Sequence, residues 1–335
     1  MISAPVGQPL RPSTRRWMFA IGLLAVLPML AFSLLTARSL FKQQQSALHV
    51  ELQQQADFSA RELAREVRII FTTLDALATS DAAKRADYAA LHAHASRIAA
   101  LSPRIGGIAV VDADGVARFS TLVPFAVAMP AIARSDMDKK VLETGMRQIT
   151  PLHVAPLSGQ QQVLFMVPVK ENDKTVFILR ASMWTNAIAE VVYEQPLPAS
   201  WRVTVVDQNM VRIARSNDVA SLVGQPVSDL TQAAIRAGVT TPYATVSRDG
   251  VAMTASVARV PGTPWTVVVA APTASIGAEV WQSFLPTLLI GLACALLSAL
   301  GVGFVARALL RQLRVDALDA TARNPTPSSQ RGQLQ

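Results

Sequence analysis

The chain has 335 residues, of which 51% are hydrophobic, and this composition excludes a largely disordered protein. Its formal net charge of +8 is concentrated in two tails. Residues 1–16 carry three arginines and no acid, and residues 307–335 carry five arginines against two aspartates. Because the middle of the chain is nearly neutral, nucleic acid is not expected as a partner. The single cysteine, Cys294, excludes an intramolecular disulfide and a cysteine-pair metal site.

Two uncharged apolar stretches predict transmembrane helices at residues 17–37 and 281–306. The first stretch also fits a cleaved signal peptide, but its apolar run is longer than such a core requires. Tryptophan lies at one edge of each stretch, and arginines flank both on the same side of the membrane. We therefore expect a two-pass inner-membrane protein with a cytoplasmic N-terminal tail at 1–16, a short cytoplasmic tail at 307–335, and residues 38–280 in the periplasm.

Residues 38–81 are predicted to form one long helix, because they contain neither Gly nor Pro and repeat apolar side chains every three or four residues. The apolar stripe comprises Leu63, Val67, Ile70, Leu74 and Leu77. It could pack on the domain that follows or on a second copy of itself as a coiled coil. The second alternative would make the protein a homodimer through this stalk and the membrane helices.

The region after the stalk contains two similar units, at residues 82–195 and 196–279, which we call the first and second repeat. In each, a strand that ends in Val-Val-Asp, at residues 110–112 and 205–207, turns back into a second strand. A helix follows at residues 136–144 or near 229–237, and three antiparallel strands close the unit. A connector helix is predicted at 184–195. The sequence thus predicts an α+β protein with two tandem units.

The whole arrangement resembles the double Cache sensor domains of bacterial histidine kinases, diguanylate cyclases and chemoreceptors. The resemblance rests on FILRASM at 177–183, LPASWRVTVVDQ at 197–208, RIARS at 212–216, LVGQPV at 222–227, DGVAMTA at 249–255 and PWTVVVAAP at 264–272. It implies a PAS-like, five-stranded antiparallel sheet in each repeat. It also implies a small ligand in the membrane-distal unit, which is the first repeat here. One subfamily reads amino acids through Trp and Tyr in the covering segment, and residues 121–140 of this chain contain neither.

Candidate ligand-binding residues follow from this resemblance. Arg134 and Asp136, with Lys139 and Lys140, could hold an anion, although the same residues could form an ordinary helix start with Ser135 or Asp136 as the N-cap. Arg180 interrupts an apolar strand and needs a partner, which could be a ligand or an acid on the long helix. Phe119, Phe125 and Phe165 could line an apolar pocket or belong to the core.

No catalytic motif is present in the sequence, and we expect no enzyme activity and no cofactor. The histidines His92 and His94 are two residues apart on a predicted helix, a spacing that does not favour a shared metal. The predicted function is therefore a receptor that binds a small molecule and signals through its membrane helices to a separate or missing output module. Two alternatives remain at this point: a remnant of a sensor kinase or diguanylate cyclase, and a periplasmic scaffold without a small-molecule site.

Overall fold

The computed structural model describes residues 12–125, 127, 129, 135–194, 197–216, 222–247 and 250–274, and part of the segment 285–311. Side chains of residues 12–34, 37 and 40 are not included. The chain divides into two compact units: residues 1–44 with 277–335, and residues 45–276. The second of these, which we call the main unit, contains both repeats.

No helix within the described residues has both the length and the apolar composition that a membrane crossing requires. The side chains of residues 17–34, and many residues of the stretch 281–306, lie outside the described part of the chain.

A long N-terminal helix, α1 (Pro12–Ala78), is present as the sequence predicts. Its apolar stripe is buried in the core of the main unit, so these side chains pack on their own domain. Two short helices follow, α2 (Asp81–Lys84) and α3 (Tyr88–Leu101). Ser80 and Asp87 begin them as N-caps, with side-chain oxygens that accept from backbone N–H groups three residues later.

The first repeat forms an antiparallel sheet in the order β2-β1-β6-β5-β3, with β4 also paired to β5. Its strands are β1 (Gly107–Asp112), β2 (Ala117–Ser120), β3 (Gln148–Ile149), β4 (His153–Val154), β5 (Gln161–Glu171) and β6 (Lys174–Trp184). Six strands replace the expected five because one strand is broken around Pro151, which has no N–H to donate to the ladder. Helix α4 (Asp136–Thr144) lies where it was predicted.

The second repeat forms a five-stranded antiparallel sheet in the order β8-β7-β11-β10-β9, which matches the path of the first sheet. The connector helix α5 (Thr185–Tyr193) leads to it, and α6 (Asp229–Ala237) is the counterpart of α4. Its strands are β7 (Arg202–Val206), β8 (Arg212–Arg215), β9 (Tyr243–Val246), β10 (Ala252–Arg259) and β11 (Thr266–Pro272). The internal repetition is therefore a repetition of topology.

One hydrophobic core joins α1 to both sheets. Successive side chains of a strand point to opposite faces, and one face of each sheet contributes its apolar side chains to this core. The ring of Phe165 lies 5.4 Å from Phe71 on α1 and 5.8 Å from Trp265, which is next to β11. The opposite face of the first sheet is left for other contacts.

Replacing Leu74 by Ala should lower the free energy of unfolding by about 2–5 kcal/mol, because the Leu74 side chain is fully buried where α1 packs on the sheets. Ile69→Ala on the same helix is the matched control, since Ile69 is 51% exposed and should cost about 0.5 kcal/mol or less. Urea unfolding followed by circular dichroism measures both. Equal losses for the two variants would contradict the packing of the stripe on its own domain.

Candidate ligand-binding site

A cavity of about 400 Å³ lies on the face of the first sheet that points away from the core. On β6 the side chains of Arg180 and Ser182 line the cavity, while those of Leu179 and Ala181, which alternate with them along the strand, enter the core. Strands β1 and β5 alternate in the same way. The cover comes from α4 and from the segment that includes the broken strand. Most lining side chains are apolar: Ala109, Val111, Leu122, Met129, Met137, Leu152, Leu157 and Leu164.

The cavity wall contains a buried ion pair between Arg180 on β6 and Asp138 on α4. Arg180 is 8% exposed and Asp138 only 1%. Burial lowers the pKa of the Arg180 guanidinium from its ordinary value, and the charge and hydrogen bond of Asp138 act in the opposite direction. Within the described residues, Nε of Arg180 is buried without a hydrogen-bond partner. One donor beside the cavity is therefore unused.

The start of α4 fixes the position of Asp138. Ser135 is the N-cap, and its hydroxyl accepts from the backbone N–H of Asp138 at 3.2 Å. In return, Oδ2 of Asp138 accepts from both N and Oγ of Ser135 at 2.7 Å. This is a capping box, which satisfies the first N–H groups of the helix. Because both oxygens of Asp138 already have partners and the residue is only 1% exposed, the carboxylate offers little surface to a ligand.

A second polar group lies at the broken strand. Nε2 of Gln162 is 3.1 Å from Nε2 of His153, and Nδ1 of His153 is 3.1 Å from the carbonyl oxygen of Pro151. An amide nitrogen donates, so this arrangement fits an imidazole with its hydrogen on Nδ1. Thr150 ties the segment to β5, because its N–H and hydroxyl both bond the backbone of Leu164 at 2.9 Å.

The sequence-predicted site residues occupy different places. Arg180 lines the cavity, and its acidic partner lies on α4 instead of the long helix because Arg180 points away from α1. Phe119 and Phe165 lie in the core on the other face of the sheet. Phe125 is 42% exposed and its ring lies 5.5 Å from that of His92. Asp136 is exposed and paired with Lys139, and Arg134 lies outside the described residues. A ligand contact by any of these remains a prediction.

Sequence reasoning missed the cavity residues Asp138, Thr150, His153 and Gln162. Asp138 had a signal, because Ser135 and Asp138 have the spacing of a capping box and the chain needed an acid for Arg180. The other three had none, since an isolated polar residue in an alternating strand normally faces solvent.

The second repeat has a cavity of its own, of about 350 Å³, on the corresponding face of its sheet. Its lining includes Arg202, Arg212 and Arg215, with hydroxyl side chains from α6 and β9. Nearby, burial raises the pKa of the Tyr243 hydroxyl. Among the described residues of the whole chain, no three His, Cys, Asp or Glu side chains are grouped closely enough to hold a metal ion.

Solved structures with the same fold are extracellular sensor domains, whereas no family model and no curated protein sequence matches the chain. The extracellular domain of the proposed histidine kinase rpHK1S-Z16 is 16% identical, with 69% of this chain and 97% of that one aligned at a TM-score of 0.56. The ligand-binding domain of the Pseudomonas aeruginosa amino acid chemoreceptor PctB, in complex with L-Arg, is 11% identical, with 69% of this chain and 97% of that one aligned at a TM-score of 0.56. The Pseudomonas fluorescens chemoreceptor CtaA, in complex with L-isoleucine, is 13% identical over 71% and 98%, again at 0.56.

The chain has the double Cache fold. The predicted resemblance is thereby confirmed at the level of fold, since identities this low do not carry a ligand from one protein to another. In this double Cache unit, the cavity lies in the repeat that the resemblance assigns to the ligand.

Replacing Asp138 by Asn should lower the free energy of unfolding by about 3–5 kcal/mol, because the buried Arg180 charge then lacks its counter-charge. Adding Arg180→Met should restore much of this loss, since the double variant buries no charge. Ser135→Ala is the control for the capping role and should cost about 1 kcal/mol. Urea unfolding measures all four proteins. A double variant no more stable than Asp138→Asn would contradict the coupling.

Proposed function

We propose that this protein is a membrane-anchored extracytoplasmic receptor that binds a small organic ligand in the cavity of the first repeat. The cavity with the buried Arg180–Asp138 pair in its wall carries the proposal. Its volume falls within the range of about 300–1,000 Å³ that is typical of small-molecule sites. The double Cache fold, shared with ligand-binding domains of receptors, supports the same function.

The cavity chemistry favours a ligand with an apolar body and one hydrogen-bond-accepting head group, such as a short monocarboxylate or its amide. Leucine and methionine side chains would surround the body. Nε of Arg180, which is buried and has no partner among the described residues, would donate to the head group after a turn of the Arg180 side chain. An ammonium group has a poor site, because Asp138 is only 1% exposed and both of its oxygens already have partners. Arg134, Asp136 and Phe125 are retained as candidate contacts in a ligand-bound state. Phe119 and Phe165 lie in the core on the opposite face of the sheet and would contact this ligand only after a rearrangement.

The scaffold alternative is less well supported than the receptor. A surface that only binds another protein does not need a cavity with a buried ion pair in its wall, because burying the two charges is costly. The cavity also lies opposite the shared core, so it is not a packing defect between α1 and the sheets.

Membrane anchoring rests on the uncharged stretches 17–37 and 281–306 with their flanking arginines. In this proposal the two helices transmit the conformational change caused by ligand binding to a cytoplasmic output module. The protein acts as a homodimer and has no enzyme activity of its own. The coupling needed is modest, about 1–3 kcal/mol between sites.

A thermal-shift screen tests ligand binding. We expect 4-methylpentanoate or its amide to raise the melting temperature of the purified protein, and L-leucine, which adds only the ammonium group, to raise it less. Ala109→Leu should abolish the shift, because Ala109 lines the cavity and a larger side chain would fill it.

Ala270→Leu is the matched control, since Ala270 lines the cavity of the second repeat. It should leave the shift unchanged. A panel of short monocarboxylates, amides and alcohols that produces no shift, or a shift that survives Ala109→Leu, would count against this site.

Alkaline phosphatase fusions test the topology. The enzyme folds only outside the cytoplasm, so a fusion after residue 276 should be active and a fusion after residue 314 inactive. The reverse pattern, or equal activity from both, would contradict the two-pass arrangement.

A further inference from the structure

Asp207 occupies the turn of the second repeat that corresponds to the turn of Asp112 in the first, but the second oxygens of the two carboxylates have different partners. In the first repeat, Oδ1 of Asp112 accepts from the N–H groups of Asp114 at 3.0 Å and Val116 at 2.8 Å. In the second, Oδ1 of Asp207 accepts from Asn209 at 2.9 Å and Val211 at 3.0 Å. These bonds close the two hairpins that follow Val-Val-Asp.

The second carboxylate oxygen distinguishes the two aspartates. Oδ2 of Asp112 forms an ion pair with Arg118 inside its own hairpin. Oδ2 of Asp207 instead accepts a hydrogen bond at 3.2 Å from the backbone N–H of Leu152, which belongs to the first repeat. Asp207 is 3% exposed, so this bond is shielded from water.

Leu152 lies in the wall of the ligand cavity, in the break between β3 and β4. Pro151 has no N–H, and the N–H of Leu152 is directed to Asp207 and not to the neighbouring strand. Gln208 adds a long contact of 3.5 Å from Nε2 to the carbonyl oxygen of Ile149. The wall segment between β3 and β4 is therefore held from the second repeat.

Close packing at Gly224 supports the same contact. Gly224 has a φ of +86°, and a Cβ there would lie 2.9 Å from Nε2 of Gln161 and 3.9 Å from Cδ2 of Leu152. The second repeat thus approaches the wall with its backbone. On its other side Asp207 directly follows β7, whose Val206 pairs with Thr266 on β11.

We propose that Asp207 is a positioning residue that holds the cavity wall at Leu152 and links the state of the cavity to the sheet of the second repeat. The inference rests on the proposed function for the importance of the cavity. If ligand binding moves the wall, the hydrogen bond between the N–H of Leu152 and Asp207 would lengthen or shorten. This change would then displace β7, which directly precedes Asp207, and through it the paired strand β11. The chain then continues from β11 toward residues 281–306.

Hydrogen–deuterium exchange of the full chain in detergent tests the hydrogen bond between Leu152 and Asp207 without a ligand. Asp207→Asn keeps an acceptor for the turn but presents an amide N–H to Leu152, so exchange at the Leu152 amide should be about tenfold faster or more. Exchange at Asn209 and Val211 should change little. Asp112→Asn is the matched control and should leave Leu152 unchanged. Unchanged exchange at Leu152 in Asp207→Asn would overturn the proposal, as would equal acceleration throughout 207–211.

Two further variants complete the test. If Asp207→Asn does not fold, Asp207→Ser replaces it, because the shorter hydroxyl can cap the turn but cannot reach Leu152.

Ala109→Leu then fills the cavity with a protein side chain in place of a ligand. It should alter exchange across 203–211 in the native background and not with Asp207→Asn. An equal effect in both backgrounds would disprove the link. Failure of the monocarboxylate screen would leave these exchange results intact, so the two proposals fail separately.

Discussion

The packing of one helix stripe against two sheets is the interaction on which the main unit depends. Leu63, Val67, Ile70, Leu74 and Leu77 of α1 share a core with both repeats. Burial of apolar surface is the dominant favourable term in folding, and here the stripe of one helix is buried against the sheets of two successive repeats. Because this packing occupies one face of the first sheet, the cavity forms on the other.

On the cavity face of the first sheet, the two buried charges, Arg180 and Asp138, neutralise one another without a ligand. A buried guanidinium or carboxylate is costly unless it is paired and hydrogen-bonded. Asp138 satisfies this requirement twice, as a helix cap and as the counter-ion of Arg180. Among the described residues, Nε of Arg180 is left without a partner in the wall of a cavity whose lining is mostly apolar. The proposed preference for a polar head group on an apolar body follows from this combination.

The elements could be predicted from the sequence more completely than the site. The stripe on α1, the Val-Val-Asp hairpins and helices α4 and α6 follow from periodicity and turn residues, which are local signals. The break around Pro151 was missed, because proline also ends or begins strands without splitting one. Which face of a strand a residue occupies follows from alternation, but which face holds a cavity depends on what packs there.

The site residues show this limit. Arg180 was recognised because a charge in an apolar strand requires a partner, yet its partner depends on α4 packing over β6. Phe119 and Phe165 satisfied the chemistry of a pocket and lie in the core, since aromatic side chains suit either environment. His153 and Gln162 gain meaning only when the broken strand brings them to within 3.1 Å of each other.

The shared core has a consequence for modularity. Two repeats with the same topology would be separable modules if each had its own hydrophobic core. Here Phe165 of the first repeat and Trp265 of the second contact one another inside a single shared core. Cutting the chain between the repeats would expose that interior on both fragments. The two sheets are therefore parts of one packed unit, and exchanging either repeat would require a replacement that fits the same core.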